Sequence, residues 1–184
     1  MIDLRFELPT AIEVGGRLFT VKTDFRVWIE WLRCFEEDEV ASYCIFEDEV
    51  PDGDKWVSAA REFAVSENVT PRSVGGSRSE ETFDFIRDGD YLVGSFMQAY
   101  GINLATVRDL HWHVFLALFR SLPDNTKMAE IMGYRAWRKS DMNKKMERHY
   151  EEAQRRWRLP PKETAEVRAI IEWQRKAFGN IKYP

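Results

Sequence analysis

The hydrophobic positions fall into blocks of different period, and the blocks set the elements. Residues 110–122, LHWHVFLALFRSL, are apolar on nearly every side, and Leu, Ala and Phe at this length favour helix over strand. A helix apolar all round is normally buried all round. A central helix is therefore predicted from about residue 106 to 122, with Trp112, Phe115, Leu118 and Phe119 in the core. His111, His113 and Arg120 leave too short an uncharged run to span a membrane.

Upstream, alternation flanks Gly15-Gly16, which predicts a β-hairpin of residues 11–14 and 17–21. Two strands alone are marginal, and the next segment is their natural support. That segment places Phe25, Trp28, Ile29, Leu32 and Phe35 on one helical stripe, capped by Thr23 or Asp24 and ended by the acidic run at residues 36–39. Residues 41–46 read equally as a short strand or a helical turn. Pro51 to Asp54 reads as a turn and a cap for a helix over about 55–67, burying Trp56, Ala59, Ala60 and Phe63.

Residues 68–79, NVTPRSVGGSRS, form the clearest loop, a flexible connector where proteolysis is expected first. Ser79 then caps a helix over about 80–100, with Phe85, Ile86, Leu92, Val93, Phe96, Met97 and Tyr100 as its stripe and Gly101 as its left-handed end. Gly89 and Gly94 cost that helix stability, which close approach of a neighbouring helix would explain. Pro123 ends the central helix, Asp124 or Thr126 caps a short one, and Gly133 closes it. From about 134 to 158 a thin seam, Met142, Met146, Tyr150, Ala153 and Trp157, runs along an otherwise charged helix of the kind that pairs with another helix. Pro160-Pro161 breaks it, and a last helix is predicted over about 162–178.

The chain is thus expected to be mainly α: a helical bundle with a small N-terminal β-hairpin and a C-terminal amphipathic helical extension. The expected divisions are 1–67 (hairpin plus helices), 68–79 (linker), 80–139 (central helical core) and 140–184 (charged amphipathic helices). Its 184 residues suffice for one compact domain with an appendage, and 44% hydrophobic residues argue against disorder. Residues 1–100 carry 10 Lys+Arg against 21 Asp+Glu, a net −11, whereas residues 101–184 carry 17 against 10, a net +7. Two such halves can pair within or between chains, although ordinary solvated helix surface accounts for most of the charge. Cys34 and Cys44 make neither a disulfide framework nor a zinc pattern, and the N-terminus lacks a signal peptide's basic and apolar regions, so a reducing cytoplasm is expected.

Candidate chemistry is sparse. His111 and His113 stand two apart, a spacing that does not share a helix face, so they are expected to be structural rather than metal ligands. Asp84 and Asp88 lie a helical turn apart, with Glu80 a turn before, and paired carboxylates can perform acid–base work or bind a cation. They are expected instead on an exposed acidic face, with a salt bridge to Arg135 or the basic helix as the middle option. No phosphate loop, zinc-protease or nucleophile-elbow motif occurs, so no enzyme activity and no cofactor or metal is expected. Lys and Arg between residues 135 and 158 could follow phosphates, but Asp141, Glu147, Glu151 and Glu152 interrupt them. Protein binding is the better reading and nucleic acid a distant second.

Several motifs occur in a fixed order. These are Asp84-Phe85, then F-x-Q-x-Y-G-I-x-L from Phe96 to Leu104, then L-H-W-x-x-F-x-A-L from Leu110 to Leu118, then T-x-x-x-x-I-M-G-Y-R from Thr126 to Arg135. The set resembles the siphophage family named for gene product fifteen. The opening at residues 8–28 is also similar to that family's start. The resemblance reaches about Arg138 and says little of 68–79 or of the chain beyond Ser140. It implies a phage tail assembly chaperone that binds the tape measure protein, with the major tail protein as a further candidate partner, in the host bacterial cytoplasm and is absent from the mature virion. A structural tail or neck component retained in the virion is the alternative, ahead of a nucleic-acid-binding helical module. The resemblance assigns no binding residue. The seam itself offers Met142, Met146, Tyr150 and Trp157 as a protein-binding face, for self-association or a client, and fits a helix packed back on its own core equally well.

Overall fold

The computed structural model describes residues 5–36, 44–65, 82–139 and 144–160. The chain is mainly helical with one two-stranded antiparallel hairpin among these residues. The strands are β1 (Ala11–Val14) and β2 (Arg17–Thr20). Gly15 and Gly16 both take positive φ, +62° and +83°, as a two-residue turn matched to strand twist requires. Pairing of Ile12 with Phe19 puts both buried side chains on one face. That face lies on α2 (Lys55–Ala64), not on the segment that follows the hairpin, as expected from sequence. The reason is Phe46: it bridges Val21, meets Phe19 edge-on at 6.2 Å and meets Trp56 edge-on at 5.5 Å, which draws α2 beneath the strands. Of the ambiguous stretch 41–46, residues 44–46 are extended and 41–43 lie outside the described residues.

Helix α1 (Phe25–Glu36) starts where the Asp24 carboxylate accepts the Arg26 N–H at 2.9 Å. Its sealed face holds Phe25, Trp28 and Trp31, while Ile29 and Leu32 are only half-buried, so the true stripe is rotated toward Trp31. The central helix α4 (Trp112–Arg120) is shorter than residues 106–122. Its approach is spent on an antiparallel bridge to the start of α1: Phe25 N–H donates to Leu110 O at 3.0 Å and Trp112 N–H to Thr23 O at 2.7 Å. Trp112, Phe115, Leu116 and Phe119 are buried and Leu118 is half-buried. Phe115 stacks on Phe25 (4.8 Å), Phe96 (5.3 Å) and Trp112 (5.7 Å), which makes it the hub of the aromatic core.

Helix α3 (Gly89–Tyr100) begins nine residues later than residue 80. Residues 82–88 instead form a turn built by side chains. Asp84 Oδ1 accepts the N–H groups of Ile86 (2.8 Å) and Arg87 (3.0 Å), and Asp88 Oδ2 accepts that of Asp84 (2.9 Å). Ile86 and Met97, expected in the stripe, are exposed. The close approach expected at Gly89 and Gly94 does not occur, since a Cβ at either would meet nothing within 4 Å. Gly101 ends the helix at φ +68°, donating to the carbonyl of Met97.

Helix α5 (Lys127–Ala136) follows Thr126 and runs through Gly133 rather than stopping there. Buried Ser95 on α3 accepts the Met128 N–H at 3.0 Å and so satisfies a first-turn donor of α5. The helix predicted over 134–158 is two helices. The chain leaves α5 at Trp137 and α6 spans Lys144–Trp157, packed back along α5. One buried cluster runs from Ile12 to Met128 and is shared by the stretches 1–67 and 80–139. The expected connector at 68–79, the cap at Ser79 and the last helix over 162–178 lie outside the described residues. No helix among the described residues is long and apolar enough to cross a membrane.

Candidate protein-binding surface

The densest polar arrangement joins α3, α5 and α6 around Arg135. Its guanidinium forms a two-pronged pair with Asp88, Nη1 to Oδ2 at 2.6 Å and Nη2 to Oδ1 at 2.8 Å. Nη1 also donates to Thr82 O at 3.1 Å and Nε to Trp157 O at 2.6 Å. The side chains are 7% and 3% exposed, so Asp88 does not belong to an exposed acidic face. It is the salt-bridge partner of Arg135. A buried pair of this kind persists because its geometry is bidentate and further hydrogen bonds fill its remaining sites.

Around this pair the seam residues divide. Tyr150 stacks on Trp137 (5.8 Å, 19°) and meets Tyr134 edge-on. Trp157 meets Tyr91 of α3 edge-on at 5.4 Å, with the Lys127 ammonium 5.0 Å over its ring. Gln154 donates to the carbonyls of Arg135 (3.2 Å) and Trp137 (3.0 Å), which caps the end of α5. Met146 is 50% exposed and takes no part, and Met142 lies outside the described residues. No residue of α6 is buried. Tyr134 donates to Glu130 at 2.9 Å, and that bond is the chief cause of its phenol's raised pKa. Glu130 is held below the usual carboxylate range first by its bond from Lys127 and then by that from Tyr134. At the other end of α6, Glu147 bonds Lys139 and raises that ammonium's pKa.

Residues 42–159 match the family described as Bacteriophage Gp15 protein. The chain belongs to that family. The match runs past Arg135, where the ordered motifs end, and takes in α6, whereas the similar opening at 8–28 falls outside it. No curated protein and no solved structure matches the chain.

Elsewhere in this Gp15-family chain His111 and His113 are engaged in holding the fold. His111 caps α4: Nδ1 accepts the His113 N–H at 3.1 Å and Nε2 meets Pro9 O at 3.0 Å. His113 Nε2 meets Phe63 O at 3.0 Å. Burial is the main cause of its lowered pKa. No group of three His, Cys, Asp or Glu among the described residues is placed to hold a metal ion. An open hollow of about 460 Å³ lies beside Asp24, Arg26 and residues 105–108. Its Arg26 guanidinium already donates to the carbonyls of Leu104 and Val107.

Sequence reasoning placed Tyr150 and Trp157 on a helix-pairing seam. It did not find the residues they meet, Tyr91, Tyr134 and Trp137, nor the Gln154 cap. The aromatic content of IMGYRAW just before the basic run was the available signal.

Proposed function

We propose that this phage protein acts without catalysis, as a tail assembly chaperone. It binds the tape measure protein in the host cytoplasm while the major tail protein polymerises, and it is left out of the finished virion. The family match over residues 42–159 carries the reading, through the tail assembly role that the family resemblance implies. Two features support protein binding over nucleic acid. The exposed side of α6 alternates Lys144, Lys145, Arg148, Arg155 and Arg156 with Glu151 and Glu152, which breaks any continuous track for phosphates. Its Met146 offers an adaptable apolar contact to a partner.

The test is co-expression with the tape measure protein of the same phage, followed by affinity capture and by mass spectrometry of purified particles. Chaperone action predicts capture of that protein and no copy in the virion. Copies retained in particles would make the chain a structural tail or neck component. Failure to capture, together with steeply salt-dependent retention on nucleic acid, would sink the reading.

A further inference from the structure

Helix α6 contributes nothing to the buried cluster, yet the surface beneath it is built to receive a helix. Asp88 and the Thr82 carbonyl fix Arg135 through Nη1 and Nη2, so its Nε–H is aimed outward independently of α6. The acceptor it takes is the main-chain carbonyl of Trp157, the last residue of α6. Every helix end offers such an unsatisfied carbonyl. The end of α5 likewise presents two carbonyls, of Arg135 and Trp137, which take a side-chain amide. Tyr91, Tyr134 and Trp137 line the rest.

We infer that this α3–α5 surface is a docking site for an amphipathic helix of the partner, and that α6 occupies it in the free chain. The inference rests on the partner-binding reading above and says where the partner sits. The fitting helix repeats what α6 brings: an aromatic residue, an amide four positions on and a Trp three beyond that, as in Tyr150, Gln154 and Trp157, with that Trp in its last turn. An occupant tied to the same chain competes with the partner. It lowers the partner's apparent affinity and makes release possible. Its departure uncovers Arg135 Nε and the end carbonyls of α5 but leaves the buried cluster closed, because no α6 residue belongs to that cluster.

The probe is a fluorescein-labelled synthetic peptide of residues 144–160, titrated by anisotropy against the full chain and full-length variants. Trp157→Ala loosens the chain's own α6, so this variant is expected to bind the peptide roughly tenfold or more tightly than the unaltered chain. A peptide that itself carries W157A is expected to lose binding to both. Equal binding by the two chains, or none by the variant while circular dichroism shows its core intact, overturns the proposal. If W157A does not fold, a Tyr150→Ala/Gln154→Ala chain carries the same comparison. Global unfolding of both would place α6 in the core and also overturn it. Capture of the tape measure protein is scored separately. Peptide binding without capture keeps the docking surface and removes the chaperone reading. Capture undiminished by saturating peptide removes the docking surface and keeps the chaperone reading.

Discussion

Arg135 and Asp88 stand 47 positions apart in sequence and meet through two parallel hydrogen bonds of 2.6 and 2.8 Å, nearly sealed from water. They lock the turn before α3 to the end of α5, and so fix the surface on which α6 rests. Deleting one partner leaves the other charge buried and unpaired. Asp88→Ala is expected to cost about 3–5 kcal/mol in denaturant unfolding. Replacing both with apolar residues of similar volume should recover most of that loss, since the pair's own desolvation cost disappears with it. A D88A chain as stable as the unaltered one would show that water reaches Arg135.

Phe115 sits at the centre of the aromatic stack and is fully buried. Truncation to Ala is expected to cost about 3–5 kcal/mol, through lost transfer energy plus a cavity that rigid rings cannot fill. Leu118→Ala should cost clearly less, because Leu118 only packs against the rim of the core. Equal losses measured by chemical denaturation would contradict this ranking.

The α3 glycines give substitutions of opposite sign. Gly94 lies inside the helix with open space where a Cβ would stand, so Gly94→Ala is expected to stabilise by roughly 1 kcal/mol. Gly101 takes φ +68°, so Gly101→Ala is expected to destabilise by about 1–2 kcal/mol. Thermal unfolding of the two variants should move in opposite directions.

His113 makes stability depend on pH. Its folded pKa is lowered, chiefly by burial, so the folded state favours the neutral ring. The resulting stabilisation is fully present above the unfolded value of about 6.5 and is lost as pH falls through the folded pKa. The midpoint of thermal unfolding should therefore drop as the pH is lowered below about 6.5. His113→Gln, which keeps a donor for the Phe63 carbonyl but does not titrate, should flatten that decline. An unchanged slope in the variant would assign the effect to other groups.

Features set by local chemistry were legible in the chain. Gly15-Gly16 fixed the hairpin turn and Gly101 the end of α3, and the apolar block at residues 110–122 put Trp112, Phe115 and Phe119 in the core. That block is not sealed on every side, since Val114, Ala117 and Leu118 are only half-buried. Misreadings arose where a distant group overrode local pattern. The start of α4 yields residues to a bridge with Asp24, and the turn at 82–88 is held by two aspartates that looked like helix surface. Trp31 was missed because the stripe was counted through Ile29 and Leu32, while Trp31 is the side chain turned fully inward.

The candidate site was legible only on one side. The seam's Tyr150 and Trp157 could be read from spacing, because a thin apolar line on a charged helix has to meet something. Tyr134 and Trp137, which Tyr150 meets, left a trace in IMGYRAW, but Tyr91 could not be read, because it is more than sixty positions upstream of Trp157 and no local pattern joins them. The Asp88–Arg135 pair was one of three options, and composition favoured the wrong one: most carboxylates on a charged helix do face water.

The junction between α1 and α4 also bears on how the chain is made. Trp112 Nε1 donates to Ala64 O, His113 meets Phe63 O, and residues 23–25 pair with 110–112. The first 65 residues are therefore completed by partners that leave the ribosome some fifty to ninety positions later. Until then Phe25 and Phe63 have no cover from α4. The growing chain must keep these rings from sticking to other nascent chains until the central helix arrives, a demand that long-range contacts impose on any vectorially synthesised fold.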